Sequence, residues 1–112
     1  MSNNVWLKSG KVYNMLGVGV TTTGVGTSIY KDSPYSTFQG IVTGTGAVTA
    51  TINIEVSNDG VNWVVTPMGT IVLSGTTSVS DGFTSAAPWK YIRANVTAIS
   101  GTGAIAQVLM GV

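Results

Sequence analysis

The chain of 112 residues contains no cysteine and no histidine. A disulfide framework is therefore excluded, and the thiolate and imidazole ligands of most zinc, haem and iron–sulfur sites are missing. A nucleophilic triad would lack its usual base. Acidic residues are few, and we interpret Asp59 and Asp81 as turn or solvated residues rather than as a catalytic carboxylate pair. We expect no enzymatic activity, no cofactor and no metal site.

Charge is also scarce, because only 8% of the residues are Asp, Glu, Lys or Arg, and the net charge is +1. An ordinary globular domain has about 25%. The five basic residues are scattered rather than clustered, so the sequence predicts no nucleic-acid partner. Two interpretations remain open: the surface is hydrated by uncharged Thr, Ser and Asn side chains, or partners cover much of it.

Long apolar runs are missing as well. Residues 1–4 are polar and uncharged, unlike the start of a signal peptide. The two long windows without charge, residues 12–30 and 94–112, are interrupted by Gly, Thr, Ser and Asn. We therefore expect no transmembrane helix and no membrane partner.

Glycine, threonine and valine are abundant instead, which favours β-strands separated by turns. The clearest strand spans residues 50–57, where Ile52, Ile54 and Val56 alternate with polar side chains. Asn58, Asp59 and Gly60 follow as a strong turn signal, so residues 61–66 are predicted to return as the second strand of a hairpin.

Glycine-rich segments predict further turns. Residues 44–46 would join a strand at 35–43 to the strand that follows, and residues 101–103 would join strands at 89–99 and 104–112. Residues 42–48 and 99–105 are closely similar, which indicates one hairpin connection used at equivalent places in two sheets. The last strand is apolar on both faces, so we expect it to be central or covered by a neighbour.

The pattern predicts an all-β fold, an antiparallel β-sandwich of about eight strands with a jelly-roll or immunoglobulin-like topology. Strands are also predicted at 70–74, 77–84, 12–16 and 27–30. We expect a single domain in which residues 1–34 form an N-terminal arm or irregular edge strands and residues 35–112 form the body.

The chain has three tryptophans and four tyrosines. Aromatic rings exposed in a row on a β-sandwich could stack on sugars, which makes a carbohydrate-binding module the alternative function. The interpretation we favour is that Trp63 and Trp89 close the ends of the sandwich and bury apolar area.

The motifs at residues 57–63 (SNDGVNW), 82–84 (GFT) and 88–96 (PWKYIRANV) carry a family resemblance. From about residue 35 to residue 112 the chain resembles the head decoration, or cement, proteins of tailed bacteriophages. The same motifs are similar, over a shorter stretch, to discoidin-type jelly rolls that bind sugars or lipids. The phage resemblance implies a virion protein, made in the host cytoplasm, that binds the outside of the assembled head.

That resemblance implies two partners, the major capsid protein and further copies of the chain, in a homo-oligomer that stabilises the capsid. A tail or baseplate subunit of the same fold is a further alternative. As interface residues we predict Trp6, Tyr13 and Met15 in the N-terminal arm, and Leu109 and Met110 in the last strand.

Overall fold

The computed structural model describes residues 5–7, by their backbone alone, and residues 11–112. Seven strands belong to one hydrogen-bonded sheet, and no helix occurs in the described part of the chain. All strand pairs are antiparallel except the first with the fourth, so the all-β antiparallel class is confirmed. The strands are β1 (Val5–Leu7), β2 (Val12–Asn14), β3 (Gly24–Val25), β4 (Ile29–Lys31), β5 (Tyr35–Ser57), β6 (Gly69–Ala86) and β7 (Tyr91–Gly111).

The three long strands β5, β6 and β7 replace the predicted hairpins. β5 runs antiparallel to β6 from the Tyr35–Ala86 pair to the Ile54–Gly69 pair, so the turn predicted at residues 44–46 is wrong. The turn predicted at residues 101–103 is wrong too, because it lies inside β7. Residues 58–68 form a loop, and the predicted return strand at 61–66 is absent.

All three strands change direction at the same level, in a region that we call the shared bend (residues 43–49, 74–80 and 97–105). The register shifts there in both ladders of β5. Backbone φ is positive at Gly46 in β5, at Thr77 in β6, and at Gly101 and Gly103 in β7. Thr45 and Thr102 are direct partners, so the two similar segments lie side by side in one sheet. Glycine adopts positive φ without a Cβ clash, which allows the bend.

Residues of the two halves of the sheet contact each other across the bend. A Cβ atom at Gly40 would lie 2.9 Å from the Ile71 side chain. Within the sheet, however, Gly40 pairs with Asp81, and Ile71 pairs with Ile52. The contact therefore runs between the two halves rather than along the sheet.

The core includes residues of both halves, and the predicted alternation is confirmed over most of β5 and β7. Ile52, Ile54 and Val56 are 0–2% exposed. The alternation is broken at Ala98, which is exposed. The cause is a register shift between β5 and β7: Thr51 pairs with Ala98, but Ile52 pairs with Val96. The shift turns the residues of β7 after Val96 to the other face. The residues of β7 that come before this shift, Ile92, Ala94 and Val96, are buried.

β7 is the central strand of the sheet, as expected from its two apolar faces. β2 pairs with its last residues, whereas β3 and β4 pair with its first residues. The chain from residue 12 to residue 31 therefore borders β7 in both halves, and it buries Met15, Leu16 and Ile29 in the core. The opposite end of the strand order is β6, which pairs with β5 alone among the described strands.

Candidate interaction surfaces

Several residues predicted to form an interface make contacts within the chain instead. Tyr13 in β2 is the direct partner of Met110 in β7. Met15 and Met110 are 0% exposed, so they are core residues and the prediction of a surface role for them is corrected. Tyr13 and Leu109 are half-buried. The backbone of Trp6 pairs with β4, and its side chain lies outside the described part of the structure.

The loop of residues 58–68 is organised around the Asp59 carboxylate. It accepts hydrogen bonds from the Asn62 side-chain amide (2.8 Å) and from the backbone N–H groups of Val61 (2.9 Å) and Asn62 (2.8 Å). The Ser57 hydroxyl oxygen lies 2.9 Å from the same carboxylate. These bonds, led by the one from the Asn62 side chain, hold the pKa of Asp59 well below its usual range.

We expect Asp59→Ala to loosen this loop, because four donors would lose one acceptor. The measurement is the emission of Trp63, compared with that of a Trp63→Phe variant to identify its share of the signal. Asp59 is ionised in the folded protein at pH values where an unfolded aspartate, with a pKa of about 3.9, takes up a proton. The contribution of Asp59 to the free energy of unfolding is therefore present above that pH and is lost on acidification. The expectation would be contradicted if Asp59→Ala had the same Trp63 emission as the unmodified protein and lost stability on acidification in the same way.

The same loop is attached to the outer face of the sheet by Trp63. The guanidinium of Arg93 lies 4.1 Å from the centroid of the Trp63 ring, a cation–π geometry. Arg93 Nε donates to Glu55 Oε1 at 2.7 Å, and Asn95 Nδ2 donates to Glu55 Oε2 at 2.9 Å. Trp63 is thereby fixed against β7.

The other aromatic residues of this face are also engaged. The Tyr91 ring packs edge-on against Tyr30 with centroids 5.3 Å apart. A Cβ atom at Gly60 would lie 3.2 Å from the Tyr91 ring, so the loop backbone covers it closely. Trp89 is partly buried against the core. These rings make contacts within the chain and do not form an exposed row.

The free edge of β6 has two arms of different character. The first arm, residues 69–75, contains no charged residue. Ile71 and Leu73 are buried, and Val72 on the opposite face is 64% exposed. The second arm consists of residues 77–86. Asp81 lies there on the same face as the half-buried Val79 and Phe83. A cavity of about 280 Å³ opens between the arms, beside Ile71 and Phe83.

Lys31 is the one charged side chain that the described structure places in the buried class, at 1% exposure. Its ammonium group donates to the backbone carbonyls of Ser33 and Ala87. Burial away from water, reinforced by the positive charge of Lys90, lowers the pKa of Lys31. The bond to Ala87 connects the end of β4 to the segment between β6 and β7. The burial of Lys31 therefore has a structural role.

Within residues 5–7 and 11–112, no three His, Cys, Asp or Glu side chains group closely enough to hold a metal ion. The same residues include no helix that could span a membrane. Comparisons with protein-family models, curated proteins and solved structures give no match.

Proposed function

We propose that the chain is a structural, non-enzymatic virion protein that decorates the outside of an assembled phage head. The observation that carries this proposal is the chemistry of the shared bend. Residues 43–49, 74–80 and 97–105 contain no charged side chain, and most of them are exposed hydroxyl, glycine or alanine positions. A neutral surface can be desolvated against a partner without leaving charges unpaired.

The fold gives that surface a firm support. We propose that the two halves of the sheet are the layers of a β-sandwich, with each long strand contributing to both layers through the bend. Because β5, β6 and β7 are continuous through it, the exposed residues of the bend are carried by paired backbone rather than by a hanging loop. A preformed surface loses less conformational freedom when it binds.

Two of the segments that carry the phage resemblance, residues 57–63 and 88–96, belong to other parts of the fold. Residues 57–63 lead into the loop that Asp59 organises, and residues 88–96 lead into β7 and supply Arg93 beneath Trp63. Both segments thus have a structural task at the ends of the strands remote from the bend. In this proposal the bend meets the major capsid protein, and copies of the chain contact each other elsewhere.

The test is co-sedimentation of the purified chain with expanded phage heads and, separately, with unassembled capsid protein. We expect saturable binding to the assembled heads alone, because the binding surface spans neighbouring capsid subunits. Thr102→Glu places a charge in the bend and is expected to weaken binding about tenfold or more, the equivalent of about 1.4 kcal/mol. The matched control is Thr84→Glu, which alters an exposed threonine on the second arm of β6.

Absence of the chain from heads at every concentration would overturn the proposal. If Thr102→Glu and Thr84→Glu weakened binding to the heads equally, the bend would not be the binding surface. Copy number and position in particle density separate a head role from a tail or baseplate role. For the carbohydrate-binding alternative, the engaged rings of Trp63 and Tyr91 count against a row of exposed stacking platforms.

A further inference from the structure

We propose that two copies of the chain pair through the first arm of β6, residues 69–75, and form an antiparallel two-fold dimer with a continuous sheet. This goes beyond the capsid role proposed above, because the contact needs no capsid. The partner is a second copy of the same segment.

The first step is that, in the part of the chain that the structure describes, this edge is uncovered, whereas the other side of the sheet is lined. Residues 12–31 run along β7 in both halves through β2, β3 and β4. No described strand pairs with the outer edge of β6. Alternate backbone N–H and C=O groups of an edge strand point away from its only neighbour, and they can accept another extended strand.

The second step is that residues 69–75 lack the devices that normally protect an edge. The segment has no lysine, no proline and no charge, and it is rich in β-branched residues. Ile71 and Leu73 hold it to the core, while Val72 presents an exposed apolar side chain outward. Long, neutral and apolar edges are the ones that pair with other chains.

The third step is that the segment is complementary to itself. A two-fold axis through Val72 places Val72 against Val72 of the second copy and Thr70 against Ser74. Each cross-strand pair is then apolar with apolar or hydroxyl with hydroxyl, and such pairs stabilise neighbouring strands. Residues 60–80 carry no charge, so no like charges meet across the axis.

The contrast with the second arm supports the choice of the first. Asp81 lies opposite Gly40, on the face of residues 77–86 that it shares with Val79 and Phe83, and its side chain is exposed to solvent. A charge on this face of an edge strand is a known protection against pairing, because a partner strand would cut it off from water. The same β6 strand therefore has one protected arm and one open arm.

The experiment introduces Val72→Cys, which is the only cysteine because the natural chain has none. Directly opposite residues of antiparallel strands have Cα atoms about 4.5–5.5 Å apart, within the range that a disulfide spans. Under mild oxidation we expect most of the protein to become a covalent dimer. The matched control, Thr84→Cys on the exposed face of the second arm, is expected to remain monomeric under the same conditions.

Sedimentation equilibrium on the unmodified chain gives an independent readout. We expect the average mass to rise with concentration from 11.5 kDa toward twice that value. Val72→Lys should shift this rise to at least tenfold higher concentration, since two ammonium groups would meet at the axis. Val18→Lys alters an equally apolar residue that is 94% exposed on another strand connection, and it should associate like the unmodified chain.

A chain that stays monomeric throughout, or that forms trimers instead, would overturn the inference. Equal cross-linking of the Val72→Cys and Thr84→Cys variants would overturn it as well. All of these measurements use the purified chain alone. A failure of capsid binding therefore leaves the dimer standing, and a failure of dimerisation leaves capsid binding standing.

Discussion

Gly101→Ala is expected to lower the free energy of unfolding by about 4 kcal/mol, combining backbone strain with overpacking. Gly101 has φ = 122°, a conformation that alanine rarely adopts. An added Cβ would also lie 2.6 Å from the carbonyl oxygen of Ala47 and 3.0 Å from the Cα of Val48. Both neighbours are backbone atoms of β5, so the contact can be relieved only by moving a paired strand. Urea or thermal unfolding followed by circular dichroism measures the effect.

Gly103→Ala is the matched control for this prediction. Gly103 has φ = 65°, and no atom lies within 4 Å of the position its Cβ would take. The cost should then be that of a left-handed backbone alone, about 1–2 kcal/mol. The difference between the two variants isolates the close approach of β7 to β5 in the bend. Equal destabilisation would mean that these strands do not meet there as described.

Gly40→Val is expected to destabilise the protein by about 3 kcal/mol, because an isopropyl side chain would enter a filled core. The first obstacle is the Ile71 side chain, 2.9 Å from an added Cβ, and Leu73 follows at 3.3 Å. These residues belong to the other half of the sheet. The prediction therefore tests whether the halves really pack face to face, and equilibrium unfolding in denaturant measures it.

A double-mutant cycle makes that test specific. Ile71→Ala alone should cost about 2–5 kcal/mol by leaving a cavity. Combined with Gly40→Val, it provides space for the new methyl groups, so the two changes should couple favourably by about 1–3 kcal/mol. Val72→Ala on the outer face of the same strand should show no coupling with Gly40→Val. Strict additivity in both pairs would contradict the face-to-face arrangement.

The strands were predictable from sequence where burial imposes a period of two. Ile52, Ile54 and Val56 show it clearly, because one side of β5 meets the core and the other meets solvent. The direction of the chain after a glycine was not predictable. Gly-Thr-Gly at residues 44–46 permits positive φ, and positive φ serves a hairpin or a bend equally well. Pairing with β6 and β7, at residues far along the chain, decides between them.

The candidate surfaces were predictable to a smaller extent. The apolar pattern of residues 104–112 correctly indicated a central strand, but it could not show that Met110 faces Tyr13 of the same chain rather than a partner. The open edge at residues 69–75 had only a weak signal, a neutral β-branched run. Whether a strand lies at an edge depends on the order of all strands in the sheet, which local sequence does not contain.

The central position of β7 has a consequence for how the protein reaches its native state. β2, β3, β4 and β5 all pair with β7, which follows every one of them in the sequence. During synthesis only β1 with β4 and β5 with β6 can find their partners before β7 emerges. Val12 must then meet Gly111, at the far end of the described chain. Such non-local pairing makes folding slow. Until β7 emerges, the paired β5 and β6 expose apolar surface, and this is the intermediate that chaperones would have to protect from aggregation.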